Sequence, residues 1–329
     1  MSSTPAPDPE TPPQRRPAPA WQRVLPWVIT IACFAYLYTR IAARTPDDMS
    51  VIGYLAAAFR DVNWLAWLAL MVPYSLFYLL IDTMVLWRVV NWFNANVTYR
   101  SLLPVRASSY IISILNEQVG KGAMALYLNR REGVPAWQVG SSMLFIMFCE
   151  FFYLLFWATV GVFIAWQILP ELFHWIPWIA LGAAVFLGLW VSFFRSSATV
   201  GRVRSNPLLK SFREAPLTHY LKIMTLRSPA LLAAVWVYQQ AAGLFGVAIP
   251  LQDMMGFLPV IFFSTLIPGP FRAVAVTLWP TLFPDHTAAM TVFGFVQHNF
   301  FLLFNAAIGL LFLRQANREL FDGDAQPER

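Results

Sequence analysis

Long apolar runs dominate the chain, and its polar and charged residues collect in the short segments between them. A run from Val24 to about Ala42 follows Arg15, Arg16 and Arg23, has the length of a bilayer crossing, and is not followed by a small-residue cleavage site. It predicts a retained signal anchor. After a short amphipathic stretch from Ser50 to Phe59, an apolar segment from Trp64 to about Trp92 predicts a second span, interrupted by Pro73 and carrying Asp82. Further spans are predicted from about Trp137 to Leu169, Trp175 to Phe194, Ser228 to Leu251 and Thr287 to Leu313, with Ser228-Pro229 and Asp285 as helix starts. Six crossings result.

Two other apolar stretches carry helix breakers and charge at mid-segment. Val105 to Leu128 is broken by Asn116-Glu117-Gln118-Val119-Gly120-Lys121-Gly122, and Gly256 to Phe283 by Pro268-Gly269-Pro270-Phe271-Arg272. Irregular backbone is tolerated at membrane depth only where protein or a wet cavity surrounds it, so both stretches predict re-entrant helical hairpins. The distribution of basic residues agrees. With two hairpins and six crossings, 18 of the 23 Lys and Arg residues fall on one side, together with both termini, and Arg40, Arg44 and Arg60 fall on the other. A full crossing by the first stretch would instead move the basic loop from Arg195 to Arg227 outside.

Composition narrows the class further. Of 329 residues, 58% are hydrophobic and 12% charged, against about 45–50% and about 25% in soluble domains. This excludes a disordered chain and leaves too little polar surface for a large soluble catalytic domain. Residues 1–23 form a Pro-rich tail expected to be disordered and cytoplasmic, 24–313 a single membrane domain, and 314–329 a cytoplasmic C-terminal tail. The formal charge of +6 is spread between apolar segments, which marks topology and contact with anionic headgroups, not nucleic acid binding. Cys33 and Cys149 are too few and too separated for a disulfide framework or a metal site, and both read as lipid-embedded. No P-loop, zinc helix, nucleophile elbow or dinucleotide fingerprint occurs, so no cofactor is expected.

The two hairpins enter from opposite faces in this topology. Laying Ser113 on Ser264 without gaps matches Leu115 with Leu266 and sets Lys121 opposite Arg272. Oppositely inserted broken helices from two inverted halves, meeting near the midplane, are the architecture of secondary transporters. The fold class expected is therefore an all-α polytopic membrane protein with an inverted repeat.

The stretch Ile112-Ile-Ser-Ile-Leu-Asn-Glu-Gln-Val-Gly-Lys-Gly-Ala-Met-Ala-Leu-Tyr-Leu128, with Arg130-Arg-Glu-Gly-Val-Pro135 and a span containing Glu150, resembles the transmembrane region of lysylphosphatidylglycerol synthases, the flippase-like domain. Leu266-Ile-Pro-Gly269 before a long helix resembles that family's Pro-Gly-containing second element. The chain departs from the family pattern at Asn116-Glu117, where a Pro is usual, and at Glu150-Phe151, where an acidic-Arg pair is usual. The resemblance covers about Val24 to Leu313 and implies a stand-alone lipid-handling unit without the soluble aminoacyl-transferase domain, in a bacterial cytoplasmic membrane.

Charged groups at bilayer depth are costly and so mark candidate sites. Lys121 and Arg272 could hold a lipid phosphate between the two hairpins, helped by backbone N–H groups at Gly120, Gly122 and Gly269. Alternatively, Lys121 simply pairs with Glu117 four residues earlier. Glu150 suits a counter-ion of Lys121 or Arg272, or a proton-coupling group, whereas Asp82 suits snorkelling or pairing with Arg88. Gln239-Gln240 and Gln297-His298-Asn299 could line a headgroup path, with interhelical hydrogen bonding as the plainer role. The expected function is transport of a phosphate-containing lipid or lipid-linked intermediate between leaflets. A membrane-embedded enzyme or accessory subunit of lipid or lipid-linked glycan synthesis is the competing reading, with Glu117 and Glu150 as its acid–base candidates.

Overall fold

The computed structural model describes residues 20–115, 128–130, 132–195, 206–267 and 272–321, and every regular element among them is helical. Helix α1 covers Ala20–Ala42, and the short α2, Val51–Arg60, begins at Ser50, whose side chain accepts the Gly53 N–H. Helix α3 covers Trp64–Phe93 and α4 covers Tyr99–Leu115. After α5 (Ala136–Ile164) come α6 (Ile176–Arg195) and the single turn α7 (Lys210–Glu214). The chain then forms α8 (Leu217–Leu244), α9 (Leu251–Ser264), α10 (Ala273–Leu282) and α11 (Thr287–Phe321).

Five of these segments are long and apolar enough to cross a membrane: Trp64–Phe93, Ala136–Ile164, Glu171–Phe194, Leu217–Leu244 and Pro284–Gln315. With 14 residues in α9 and 10 in α10, these helices reach only about 21 and 15 Å, short of a hydrocarbon core about 30 Å thick. They pack on each other across the break expected at Pro268-Gly269-Pro270-Phe271-Arg272, whose first four residues, 268–271, lie outside the described residues. Most boundaries fall within a few residues of the apolar runs. Two do not: α8 begins at Leu217 and keeps Pro229 inside the helix, and α4 begins at Tyr99 and keeps Pro104 inside. Pro229 opens no helix here because Ser228 and its neighbours are packed on α5, where Trp157 donates to the Ser228 hydroxyl at 3.0 Å.

Three pairings hold the bundle together: α3 on α8, α4 on α11, and α5 on α9. Elements from before residue 170 thus pack chiefly on elements from after residue 210. Close approach needs small residues at two crossings. A Cβ at Gly161 would lie 2.6 Å from the Gly256 carbonyl, and one at Gly309 would lie 2.5 Å from the Ala107 carbonyl. At the end of α8, Gly246 adopts φ 77° while Val247 N–H reaches the Ala242 carbonyl at 3.1 Å and Gly246 N–H the Gly243 carbonyl at 3.1 Å. This Schellman turn stops the helix and sends the chain back as α9.

The main core joins α3, α5, α8, α9, α10 and α11 around Trp67, Tyr238, Trp279 and Phe293. A second core, around Phe145, Tyr220 and Phe212, lies where α3, α5, α7 and α8 meet. Cys149 belongs to that second core and is fully buried in protein, which corrects its assignment as lipid-embedded. In contrast, α6 leaves most of its apolar surface uncovered by protein, including Trp178, Leu181 and Leu189.

Candidate functional site: a buried charge cluster and Arg272

On α3 the buried positions Met71, Ser75, Leu79, Asp82, Leu86, Val89 and Phe93 recur every three or four residues, so the stripe that packs the core also carries Asp82 inward. Its carboxylate is 5% exposed and receives donors from two other helices. From α4, Arg106 Nε donates to Oδ2 at 2.6 Å and the Tyr110 hydroxyl donates to the same oxygen at 2.7 Å, the two donors being one turn apart on α4. From α8, Arg227 Nη2 donates to Oδ1 at 3.3 Å. Arg227 also reaches α5, where its Nη1 donates to Glu150 Oε1 at 3.1 Å.

Four helices therefore meet at two guanidinium groups and two carboxylates, whose charges cancel. Arg106 Nη1 is further tied to the Ser109 hydroxyl at 3.3 Å, and the Tyr153 hydroxyl donates to the Arg227 carbonyl at 3.3 Å. Removing charge from water is costly, and only close pairing with satisfied hydrogen bonds offsets it. The Arg227 Nε is buried without a partner among the described residues.

This arrangement corrects two expectations. Asp82 does not pair with Arg88, which stacks over Trp87 at 4.5 Å instead; six residues further along a helix puts Arg88 roughly 120° around the axis. Glu150 is the counter-ion of Arg227, not of Arg272, while Lys121 lies outside the described residues, as do Glu117, Gly120 and Gly269. Arg106 and Arg227 are likewise core cations, where the charge pattern alone had counted them among the topology signals.

Arg272 stands apart from the cluster. It precedes α10 with φ 49°, a left-handed conformation that is uncommon for a non-glycine residue, and its guanidinium lies 6.0 Å from the centroid of the Phe301 ring. Among the described residues no carboxylate pairs with it. Its charge is felt at Tyr74, Tyr78, Tyr238 and His298. The Tyr78 ring lies 4.7 Å from that of Phe301 and feels the charges of Asp82, Arg227 and Glu150 as well as that of Arg272.

The polar residues of α11 divide by face. Gln297 accepts from Trp67 Nε1 at 3.1 Å, and His298 Nε2 accepts from Trp279 Nε1 at 3.2 Å, which pins α11 to α3 and α10. These are interhelical bonds, yet His298 Nδ1 and both amide atoms of Asn305 are buried without partners among the described residues. Asn299 points elsewhere, donating to the Phe295 carbonyl of its own helix at 2.8 Å, and Gln239 is half-buried on α8. Among the described residues no group of three His, Cys, Asp or Glu side chains could hold a metal ion. Comparison with protein-family models, with curated proteins and with solved structures finds no match to this chain.

Proposed function

We propose that this protein is a flippase-like lipid transporter, which binds the phosphate of a polar lipid or lipid-linked intermediate at Arg272 and lets the headgroup cross while the chains stay in the bilayer. The observation that carries this reading is Arg272 itself: a guanidinium beside the break between two short helices, over the Phe301 ring, its field reaching Tyr74, Tyr78 and Tyr238, and without a carboxylate partner among the described residues. An unpaired cation inside a membrane protein is costly, and an anionic ligand would relieve that cost. The planar fork suits phosphate oxygens.

The packing supports two inverted halves. Taking α3, α4 and α5 as one half and α8, α9 and α11 as the other pairs α3 with α8, while α4 meets α11 as α9 meets α5. The second pairing is the first with the halves exchanged, which is what a pseudo-two-fold axis requires. The small-residue crossings follow the same exchange, Gly161 on Gly256 and Gly309 on Ala107. In this reading α9 and α10 form a re-entrant hairpin, the stretch from Val105 to Leu128 forms its counterpart, and the resemblance to the flippase-like region of lysylphosphatidylglycerol synthases points to the same class. The neutral cluster of Asp82, Arg106, Arg227 and Glu150 ties the halves together and is structural.

The test is substitution of Arg272 in protein reconstituted into liposomes with fluorescent phospholipid. Arg272→Lys keeps the charge but loses the fork, and Arg272→Gln loses both. Both variants should insert normally and lose roughly ten- to hundredfold in translocation rate, the equivalent of about 1.5–3 kcal/mol for a hydrogen bond to a charged group. Full transport by Arg272→Lys, or failure of both variants to accumulate in the membrane, would make Arg272 a structural residue.

A further inference from the structure

On the surface where α3 meets α8, a cleft of about 380 Å³ opens sideways, away from either end of the bundle. Ala69, Pro73, Phe77, Ala233 and Trp236 form its walls and Tyr74 its inner end. The lining is apolar apart from Tyr74, and it sits on the first half of α3 and the second half of α8, within two helices long and apolar enough to cross a membrane, so the solvent that reaches it is lipid. Pro73 adds a polar feature, because it supplies no N–H to the carbonyl of Ala69, itself a wall residue.

What lies behind the cleft gives it meaning. Tyr74 is 5% exposed, and its ring touches those of Tyr238, at a centroid distance of 6.2 Å, and of Phe301, at 6.1 Å. Arg272 lies over the opposite neighbour of that contact, 6.0 Å from Phe301. Two side chains in contact, Tyr74 and Phe301, therefore lie between an apolar recess facing the lipid and a cation that has no carboxylate partner among the described residues.

We infer that the α3–α8 cleft is the lateral portal for a phospholipid, one acyl chain seating against Pro73, Phe77 and Trp236 while the phosphate displaces Tyr74 and meets Arg272. The occupant follows from continuity: apolar walls accept a chain, and the positive charge beyond Tyr74 and Phe301 accepts a phosphate. A free anion would find no hydrated approach along this route, and an apolar molecule would gain nothing from Arg272. This inference rests on the reading of Arg272 as a phosphate site.

Two substitutions fill the cleft without touching Arg272. Ala69 is exposed at its rim and Ala233 half-buried in its wall, so Ala69→Trp should fold even if Ala233→Trp does not. Leu232→Trp, on the exposed side of α8, is the control. Two readouts are taken on each variant: phospholipid retained through detergent purification, measured by mass spectrometry, and translocation of fluorescent phospholipid in liposomes. Wild-type protein and Leu232→Trp should retain phospholipid, and the cleft-filling variants should lose it and slow translocation at least tenfold. Wild-type protein that retains no phospholipid, or cleft-filling variants that retain it, would overturn the portal. Should those variants transport normally while Arg272→Gln fails, the portal is wrong and the phosphate site stands. If instead wild-type protein transports nothing yet loses bound phospholipid on Ala69→Trp, the cleft binds lipid and the transport reading fails.

Discussion

Replacing Asp82 by Asn should be among the most destabilising isosteric changes available in this protein. The carboxylate accepts three hydrogen bonds, two from guanidinium groups on different helices and one from Tyr110, and 5% of the residue is exposed. Neutralising it leaves Arg106 without its counter-ion, while Arg227 keeps Glu150. Removing one partner of a buried pair costs about 3–5 kcal/mol, mostly because the other charge is stranded. Arg88, exposed on the same helix, provides the contrast, since Arg88→Gln should change stability by less than about 0.5 kcal/mol. The assay is reversible unfolding in mixed micelles by titration with a denaturing detergent, read by the fluorescence of the tryptophans. A double variant, Asp82→Asn with Arg106→Gln, should recover at least about 1.5 kcal/mol of the loss, because it removes the stranded charge as well. If Asp82→Asn lies within about 1 kcal/mol of wild type, or the double variant shows no coupling, the cluster does not hold the halves together.

Two further predictions concern packing and topology. Gly161→Ala places a Cβ 2.6 Å from the Gly256 carbonyl and should destabilise the α5–α9 crossing by about 1–3 kcal/mol, whereas Gly182→Ala on α6 meets open space and should be neutral or stabilising by up to about 1 kcal/mol; unfolding curves of the two variants check this. In a background lacking Cys33 and Cys149, a cysteine replacing Glu214 should be shielded from impermeant maleimide in intact cells and one replacing Asp285 should react, because the two residues are expected on opposite faces. Reaction of both from outside would reject the topology.

The helices were largely legible because length and apolarity alone decide what can cross a bilayer. Trp64 and Thr287 as helix starts follow from local chemistry. The site was less so, since its partners are joined only by tertiary packing: Asp82 and Arg227 are 145 positions apart. Treating Pro229 as a helix start moved Arg227 into a cytoplasmic loop, and starting the fourth stretch at Val105 put Arg106 at its edge; both lie inside helices. A signal for Asp82 was present nonetheless. It lies 11 residues before the end of α3, about 16 Å of helix, too deep for a short carboxylate to snorkel. Arg272 was legible because no acid lies between Asp253 and Asp285.

The central claim, that this protein carries a lipid headgroup across the bilayer, is tested most directly with wild-type protein in liposomes holding a fluorescent phospholipid in both leaflets, bleached from outside by an impermeant reductant. Protein-dependent bleaching of the inner-leaflet pool, with the vesicles still sealed to a soluble dye, is the result expected. An inner-leaflet pool as protected as in protein-free vesicles, for phospholipids and lipid-linked sugars alike, would contradict it.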